Sequence, residues 1–301
     1  MAAWTHKARA ASVCRRYDRP VSAQPDQYGV VGHPVTHSWS PFIHGMFARE
    51  TAQSLVYRLY DVEPARFRNH VLEFFARGGS GLNVTVPHKV AAAQLANDLT
   101  PRAERAGAVN TLTLLEEHRI LGDNTDGAGL LNDLQNNLRV PVAGRHILIL
   151  GAGGATRGIL APLLQLKPAQ LRVANRTVER ARTLINDFSD LGSLQALSFD
   201  ELPPAAFDLV INATSASLSG EAPDIPGHVI GANTVCYDMA YGATDTAFVR
   251  WALDHGCARA LQGWGMLVEQ AAESFALWRG VRPQTGTVMA ALKRRAAQAA
   301  T

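Results

Sequence analysis

The sequence predicts an α/β protein in which an N-terminal α/β substrate domain precedes a Rossmann-like doubly wound domain, with C-terminal helices returning to the first. Three observations carry this. From Gly144 onward the chain alternates short apolar strands (145–150, 171–175, 194–197, 207–212, 233–238, 258–261) with helical stretches such as 178–189 and 245–255, the pattern of a parallel sheet. Ile147–Leu150 is wholly apolar and runs directly into Gly151, Gly153 and Gly154, after which a helical pattern begins at Ile159, Leu160, Leu163 and Leu164. A strand buried on both faces, a glycine turn and a helix N-terminus together are the context a pyrophosphate site needs, with an ordinary tight turn of an α/β protein as the alternative. The stretch before Gly144 has its own strands and helices, and 301 residues suffice for two cores.

Composition narrows the function classes. With 47% hydrophobic and 18% charged residues the chain reads as an ordinary globular enzyme. A formal charge of +3, without a basic stripe interleaved with aromatics, gives no reason to expect nucleic acid. Cys14, Cys236 and Cys257 are odd in number and far apart, which points to a reducing compartment, the cytoplasm, and away from a thiolate metal site. No apolar run approaches the roughly 20 residues of a membrane span, so no membrane is expected.

Residues 1–27 carry Lys7, Arg9, Arg15, Arg16 and Arg19 without sustained periodicity and are expected to be a flexible extension. The fold is expected to begin with the strand Tyr28–Gly32. The loop that follows enters a helix at Ser40-Pro41, read as N-cap and N1. Ser38 and Ser40 therefore stand at a helix N-terminus, where an anion such as a carboxylate is favoured, although capping alone would also explain Ser40. His33, His37 and His44 invite a metal reading, but the first two lie in a Pro-containing loop without a carboxylate partner, and no metal is expected.

Residues 55–62 alternate as a strand and 64–77 as an amphipathic helix. The strand 81–86 then ends at Pro87 and brings Thr85 and Lys89 to its carboxyl end, the side on which α/β sheets bind ligands. A helical stretch to Ala106 leads to the strand 107–114, where Asn110 lies between apolar neighbours and needs hydrogen bonds if buried. After a hairpin return, Gly122–Gly127 opens a helix. There Asp126 is either an N-cap or the acid partner of Lys89.

Within the glycine turn (Gly151, Ala152, Gly153, Gly154, Ala155) the last position of the usual Gly-x-Gly-x-x-Gly/Ala pattern is Thr156. The second strand of this half ends at Asn175, 24 residues after Gly151, where an NAD site would place an acid for the ribose 2′-hydroxyl. Here stand Asn175, Arg176 and Thr177, with Arg180 one turn on, and the cations favour the 2′-phosphate of NADP. Met239 and Tyr241 follow a further buried strand, and Gly263-Trp264-Gly265-Met266 opens a helix interrupted by Gln270.

From Tyr28 to its C-terminus the chain resembles the shikimate dehydrogenase family. The resemblance rests on His37-Ser-Trp-Ser-Pro-Phe42, Asn83-Val-Thr-Val-Pro-His-Lys89, Gly107-Ala-Val-Asn-Thr111 and Gly122-Asp-Asn-Thr-Asp-Gly127. To these it adds the glycine turn, Asn175-Arg-Thr177, Tyr237-Asp-Met239 and the segment Gly263–Gln270. The resemblance implies reversible NADP-dependent reduction of 3-dehydroshikimate to shikimate, a step of aromatic amino acid biosynthesis. It implies that Ser38 and Ser40 bind the substrate carboxylate. Thr85, Lys89, Asn110, Asp126, Tyr241 and Gln270 would contact the ring and its hydroxyls, and Lys89 and Asp126 would form the catalytic pair. Gly151, Ala152, Gly153, Gly154, Ala155, Asn175, Arg176, Thr177, Arg180, Met239 and Gly263 would bind the cofactor. Trp39, where the family often has lysine, and the small Ala240 depart from the pattern. The domains expected are 28–126 with 264–301 for substrate and 127–263 for NADP, with a homodimer left open. A quinate/shikimate dehydrogenase with relaxed cofactor use and a non-catalytic NADP-binding regulator are the alternatives.

Overall fold

The computed structural model describes residues 24–299, so the extension expected at the N-terminus lies outside the described residues as far as residue 23. Two compact units form. The first comprises the chain up to Glu104, Ala108–Thr125 and Ala271–Val288; the second comprises Arg105–Gly107, Asp126–Gln270 and the chain from Met289 on.

The sheet of the first unit contains β1 (Asp26–Gly32), β2 (Leu55–Asp61), β3 (Gly79–Val84), β4 (Asp98–Leu99), β5 (Thr111–Leu114) and β6 (Ile120–Asp123). Their order is β2-β1-β3-β5-β6-β4, with β1 parallel to β2 and β3, and β5 antiparallel to β3 and β6. Its helices are α1 (Ser40–Glu50), α2 (Phe67–Ala76), α3 (Lys89–Leu95) and α4 (Pro101–Ala106), the last crossing the unit boundary. In α2 the apolar residues Phe67, Val71, Phe74 and Phe75 share one face, which packs with Val31, Leu82 and Val84 from the middle of the sheet. The strand β1 starts at Asp26, two residues earlier than its apolar run suggests. There Asp26 pairs with Arg279 at 2.5 Å and the Gln27 side chain accepts from Arg58 at 3.2 Å. Two further stretches are divided more finely than periodicity predicts. The helix expected over 64–77 is a 3-10 turn (Pro64–Arg66) followed by α2, and the helical stretch before Ala106 is interrupted by the two-residue β4.

The second unit holds β7 (His146–Leu150), β8 (Gln170–Ala174), β9 (Leu194–Leu197), β10 (Leu209–Asn212), β11 (Val235–Asp238) and β12 (Arg259–Gln262). All are parallel, in the order β12-β11-β10-β7-β8-β9. The helices are α5 (Asp126–Asn132), continuing into a π-turn at Asp133–Asn137, α6 (Gly154–Gln165), α7 (Val178–Asp187) and α8 (Ala247–Asp254). Then follow α9 (Trp264–Arg279) and α10 (Thr285–Ala299), each crossing the unit boundary. Ile147–Leu150 and Leu209–Ile211 are buried on both faces of this sheet, one face packing on α6 and α7 and the other on Phe248 and Ala252 of α8. Strand order reverses between β7 and β10, so the crevice beyond their carboxyl ends is where a doubly wound sheet binds its ligand.

Candidate active site

In the first unit, the five predicted substrate residues are placed by the carboxyl end of β3, the segment before β5 and the starts of α3 and α1. Val31 accepts the backbone N–H of Thr85 at 2.9 Å, and the Thr85 methyl packs so closely over Gly32 that a Cβ there would collide with it. Lys89 is half-buried at the first position of α3, and its carbonyl accepts from Val109 at 2.8 Å. The Asn110 carbonyl in turn accepts from Val84 at 2.8 Å. Thr85, Lys89 and Asn110 are therefore brought together beyond the carboxyl end of β3, an inner strand, by backbone bonds. The fourth, Ser40, is the first residue of α1 and not its N-cap. Trp39 precedes it in the helical region, and the cap makes no side-chain hydrogen bond. Ser38 does the local work instead, its hydroxyl accepting the Ser40 N–H at 3.3 Å while donating to the Ser40 hydroxyl at 3.1 Å. Two hydroxyls 3.1 Å apart at the start of an 11-residue helix without an acidic residue in its first turn suit a carboxylate.

Asn110 is buried and bonded at both ends of its carboxamide. Its Oδ1 accepts the Thr125 N–H at 2.8 Å, and its Nδ2 donates to the Thr125 hydroxyl at 2.8 Å. The strand expected over 107–114 therefore begins only at Thr111, because Asn110 bonds to the chain after β6 before entering the ladder. Asn83 is a polar residue that sequence reasoning left without a role. Buried near the carboxyl end of β3, it accepts from the Tyr57 hydroxyl at 2.7 Å and donates to the Ser274 hydroxyl at 3.0 Å and the Asn110 carbonyl at 3.2 Å. An asparagine between the apolar Leu82 and Val84 was the available signal. Next to Lys89, His88 is buried, stacked on Phe67 with ring centroids 4.5 Å apart, and its Nε2 lies 2.7 Å from the Val62 carbonyl. Burial lowers its pKa, partly offset by that hydrogen bond.

In the second unit the glycine turn sits at the switch point. Gly151 has φ +101°, and a Cβ there would meet the Ala213 carbonyl at 3.1 Å, so only glycine fits between the ends of β7 and β10. A Cβ on Gly153 would meet nothing within 4 Å. The 12-residue α6 that starts at Gly154 has no side-chain cap and no acid in its first turn, which leaves its N–H groups to an anion. Thr156, the departure from the glycine pattern, is buried and donates to the Gly151 carbonyl at 2.7 Å, closing the turn from within. Beyond β8, Asn175 donates to the Thr177 carbonyl at 2.8 Å and so shapes the turn itself. Arg176 and Arg180 are exposed and make no ion pair among the described residues, whereas Glu179 is taken up by Arg182 at 2.6 Å. These groups fit NADP: an uncapped helix end and open turn for pyrophosphate, and two cations for the 2′-phosphate.

Met239 and Gly263 are neighbours, since a Cβ on Gly263 would lie 2.6 Å from the Met239 carbonyl oxygen. Asp238 pins this place from below. Fully buried, it accepts from Thr246 (2.6 Å), Ser217 (2.7 Å), Asn212 (3.0 Å) and the Ala240 N–H (3.0 Å). Burial nevertheless raises its pKa above the usual carboxylate range. Tyr241 packs on Trp264, ring centroids 4.8 Å apart, at the start of α9. Asp126, buried at the first position of α5, shares that helix with two glycines that admit close neighbours. A Cβ on Gly127 would meet the Gly158 carbonyl of α6 at 2.6 Å, and one on Gly129 would meet the Gln270 Cβ of α9 at 2.7 Å and its backbone at 2.8 and 3.0 Å. The helix carrying Asp126 therefore lies between the glycine-turn helix and the helix carrying Gln270.

Comparison with known proteins decides the family. Residues 30–112 match the shikimate dehydrogenase substrate binding domain, 134–219 the shikimate/quinate 5-dehydrogenase model, and 263–293 the shikimate 5′-dehydrogenase C-terminal domain. The NADP(+) shikimate dehydrogenase of Methylococcus capsulatus is 54% identical over 270 residues, covering 90% of this chain and 97% of its own. The chain belongs to the shikimate dehydrogenase family. Among solved members, the Thermus thermophilus shikimate 5-dehydrogenase in complex with NADP(H) and shikimate is similar at 31% identity and TM-score 0.78. The match covers 90% of this chain and 99% of that one. An Ael1 enzyme from Pseudomonas putida is similar at 44% identity and TM-score 0.80, covering 89% and 98%. The α/β architecture and Rossmann-like half expected from sequence are those of this family.

Proposed function

We propose that this chain catalyses the NADP-dependent, reversible reduction of 3-dehydroshikimate to shikimate. The observation that carries the reading is the gathering of Thr85, Lys89 and Asn110 beyond the carboxyl end of β3, in a chain of this family whose glycine turn has an uncapped helix end. The bound nicotinamide supplies the hydride. The protein's own task is to orient the substrate and manage one proton. Ser38 and Ser40 take the carboxylate. Thr85, Asn110, Tyr241 and Gln270 hold the ring hydroxyls. Lys89 passes the proton at the reacting oxygen, and Asp126 orients it. The family's place in the shikimate pathway and the two cysteines among the described residues, both buried and free of disulfides, support a cytoplasmic setting. The homodimer left open above is tested by light scattering, a single-chain mass counting against it.

The deciding experiment measures initial rates of shikimate oxidation with NADP and NAD in parallel. Fast turnover with NADP and little with NAD is expected. Equal use of both would favour the quinate/shikimate alternative, and tight NADP binding without turnover a regulator. Arg176→Ala is expected to raise KM for NADP by roughly 10- to 100-fold, the value of one charge-assisted hydrogen bond, while KM for NAD moves little. An unchanged KM for NADP would remove Arg176 from the cofactor site.

A further inference from the structure

The carboxylate of Asp123, at the end of β6, is 1% exposed yet makes no contact with any residue placed at the site above through its own oxygens. Four donors converge on it. Arg102 grips both oxygens in a fork, Nε at 2.7 Å and Nη2 at 2.5 Å; Thr100 donates its hydroxyl at 2.5 Å and Asn124 its backbone N–H at 2.8 Å. Arg102 is itself held from behind by Glu273 at 3.7 Å, which also pairs with Arg282. A carboxylate saturated in this way cannot act as an acid or base on substrate, so what it does must pass through the backbone.

The backbone route is short. Asp123 accepts the Asn110 N–H on its own carbonyl at 3.0 Å, facing Thr111 in the ladder. Through the Asn124 N–H its side chain fixes the turn after β6, and the next residue, Thr125, holds both ends of the Asn110 carboxamide at 2.8 Å. Asp126 is the residue after that. We propose that Arg102 and Asp123 form a positioning pair for the reaction. Clamped by the guanidinium fork and the Thr100 hydroxyl, the turn at residues 123–125 sets the Asn110 carboxamide and the start of the segment that carries Asp126. The inference rests on the proposed function, because Asn110 and Asp126 matter to it only as substrate contacts.

The test compares wild type with Arg102→Lys, which keeps the charge but cannot fork, and with Thr100→Val, which removes one donor and leaves the fork. Steady-state shikimate oxidation is measured at a temperature well below each melting point, with NADP affinity by fluorescence titration alongside. Arg102→Lys is expected to lower kcat/KM for shikimate by about tenfold or more, as misplaced substrate contacts do, with NADP affinity within about twofold of wild type. Thr100→Val is expected to show a smaller loss of the same kind, and it carries the test alone if Arg102→Lys does not fold. Variants that melt earlier but keep kcat and KM for shikimate within about twofold overturn the proposal, since that is the signature of a merely structural pair. A wild-type chain that does not oxidise shikimate at all overturns the proposed function instead, and the positioning role with it.

Discussion

Lys89→Met is expected to lower kcat for shikimate oxidation by about 10²- to 10⁴-fold, the usual contribution of a positioned acid/base group. Lys89 is the first residue of α3, and its carbonyl bond to Val109 ties it to the turn that delivers Asn110. The methionine stem fills the same half-buried space, so the loss should be confined to the chemistry. Cofactor affinity should hold, because the glycine turn and Arg176 belong to the other compact unit. The readout is the division between kcat and KM. A near-normal kcat with a raised KM would make Lys89 a binding residue and leave the proton to another group.

The second large effect is on stability, at His44 in α1. The ring is 1% exposed, stacked face to face on Tyr57 with centroids 4.2 Å apart, and bordered by Phe47, Phe275 and Trp278. Neither ring nitrogen has a hydrogen-bond partner within bonding geometry. Burial therefore lowers its pKa from 6.5 to about 3, with nearby Asn83 a smaller opposing influence. The folded state keeps the ring neutral while the unfolded chain takes up a proton near pH 6.5. The neutral ring's contribution is thus whole above that pH and is lost as pH falls from about 6.5 toward 3, at about 1.4 kcal/mol per unit. Between pH 7 and pH 4.5 that amounts to roughly 2 to 3 kcal/mol. His70 and His88 are shifted the same way, so the wild-type slope alone does not isolate His44. Urea unfolding of wild type and His44→Phe at the two pH values does. The variant should lose about 2 to 3 kcal/mol less than wild type on acidification, and an equal loss in both would show that the buried ring is not the sensor.

Much of the fold was legible because its signals are local. Ile147–Leu150 could only be a strand buried on both faces, and the glycines after it could only be a turn, since Gly151 takes φ +101° against the Ala213 backbone. The cations beyond β8 read directly as a 2′-phosphate preference, and Arg176 and Arg180 stand exposed there. Boundaries were less legible. β1 takes in Asp26 and Gln27 because Arg279 and Arg58, distant in sequence, partner them, and no window around residue 26 contains either. Ser40 looked like an N-cap by residue type, yet the helix starts at Ser40 itself and Ser38 supplies the hydrogen bond to its N–H.

Sequence by itself determined the class of the fold and the place of the glycine turn, because apolar period and glycine spacing act over a few neighbours, whereas the list of candidate catalytic and binding residues came from the family resemblance. Tertiary structure alone decided which polar residues serve one another. The Thr100 and Arg102 donors on Asp123, the Tyr57 and Ser274 partners of Asn83 and the unpartnered ring of His44 all arise between residues distant in the chain. A buried polar group must be paired or pay for its desolvation, and the packed interior alone settles which of the two occurs.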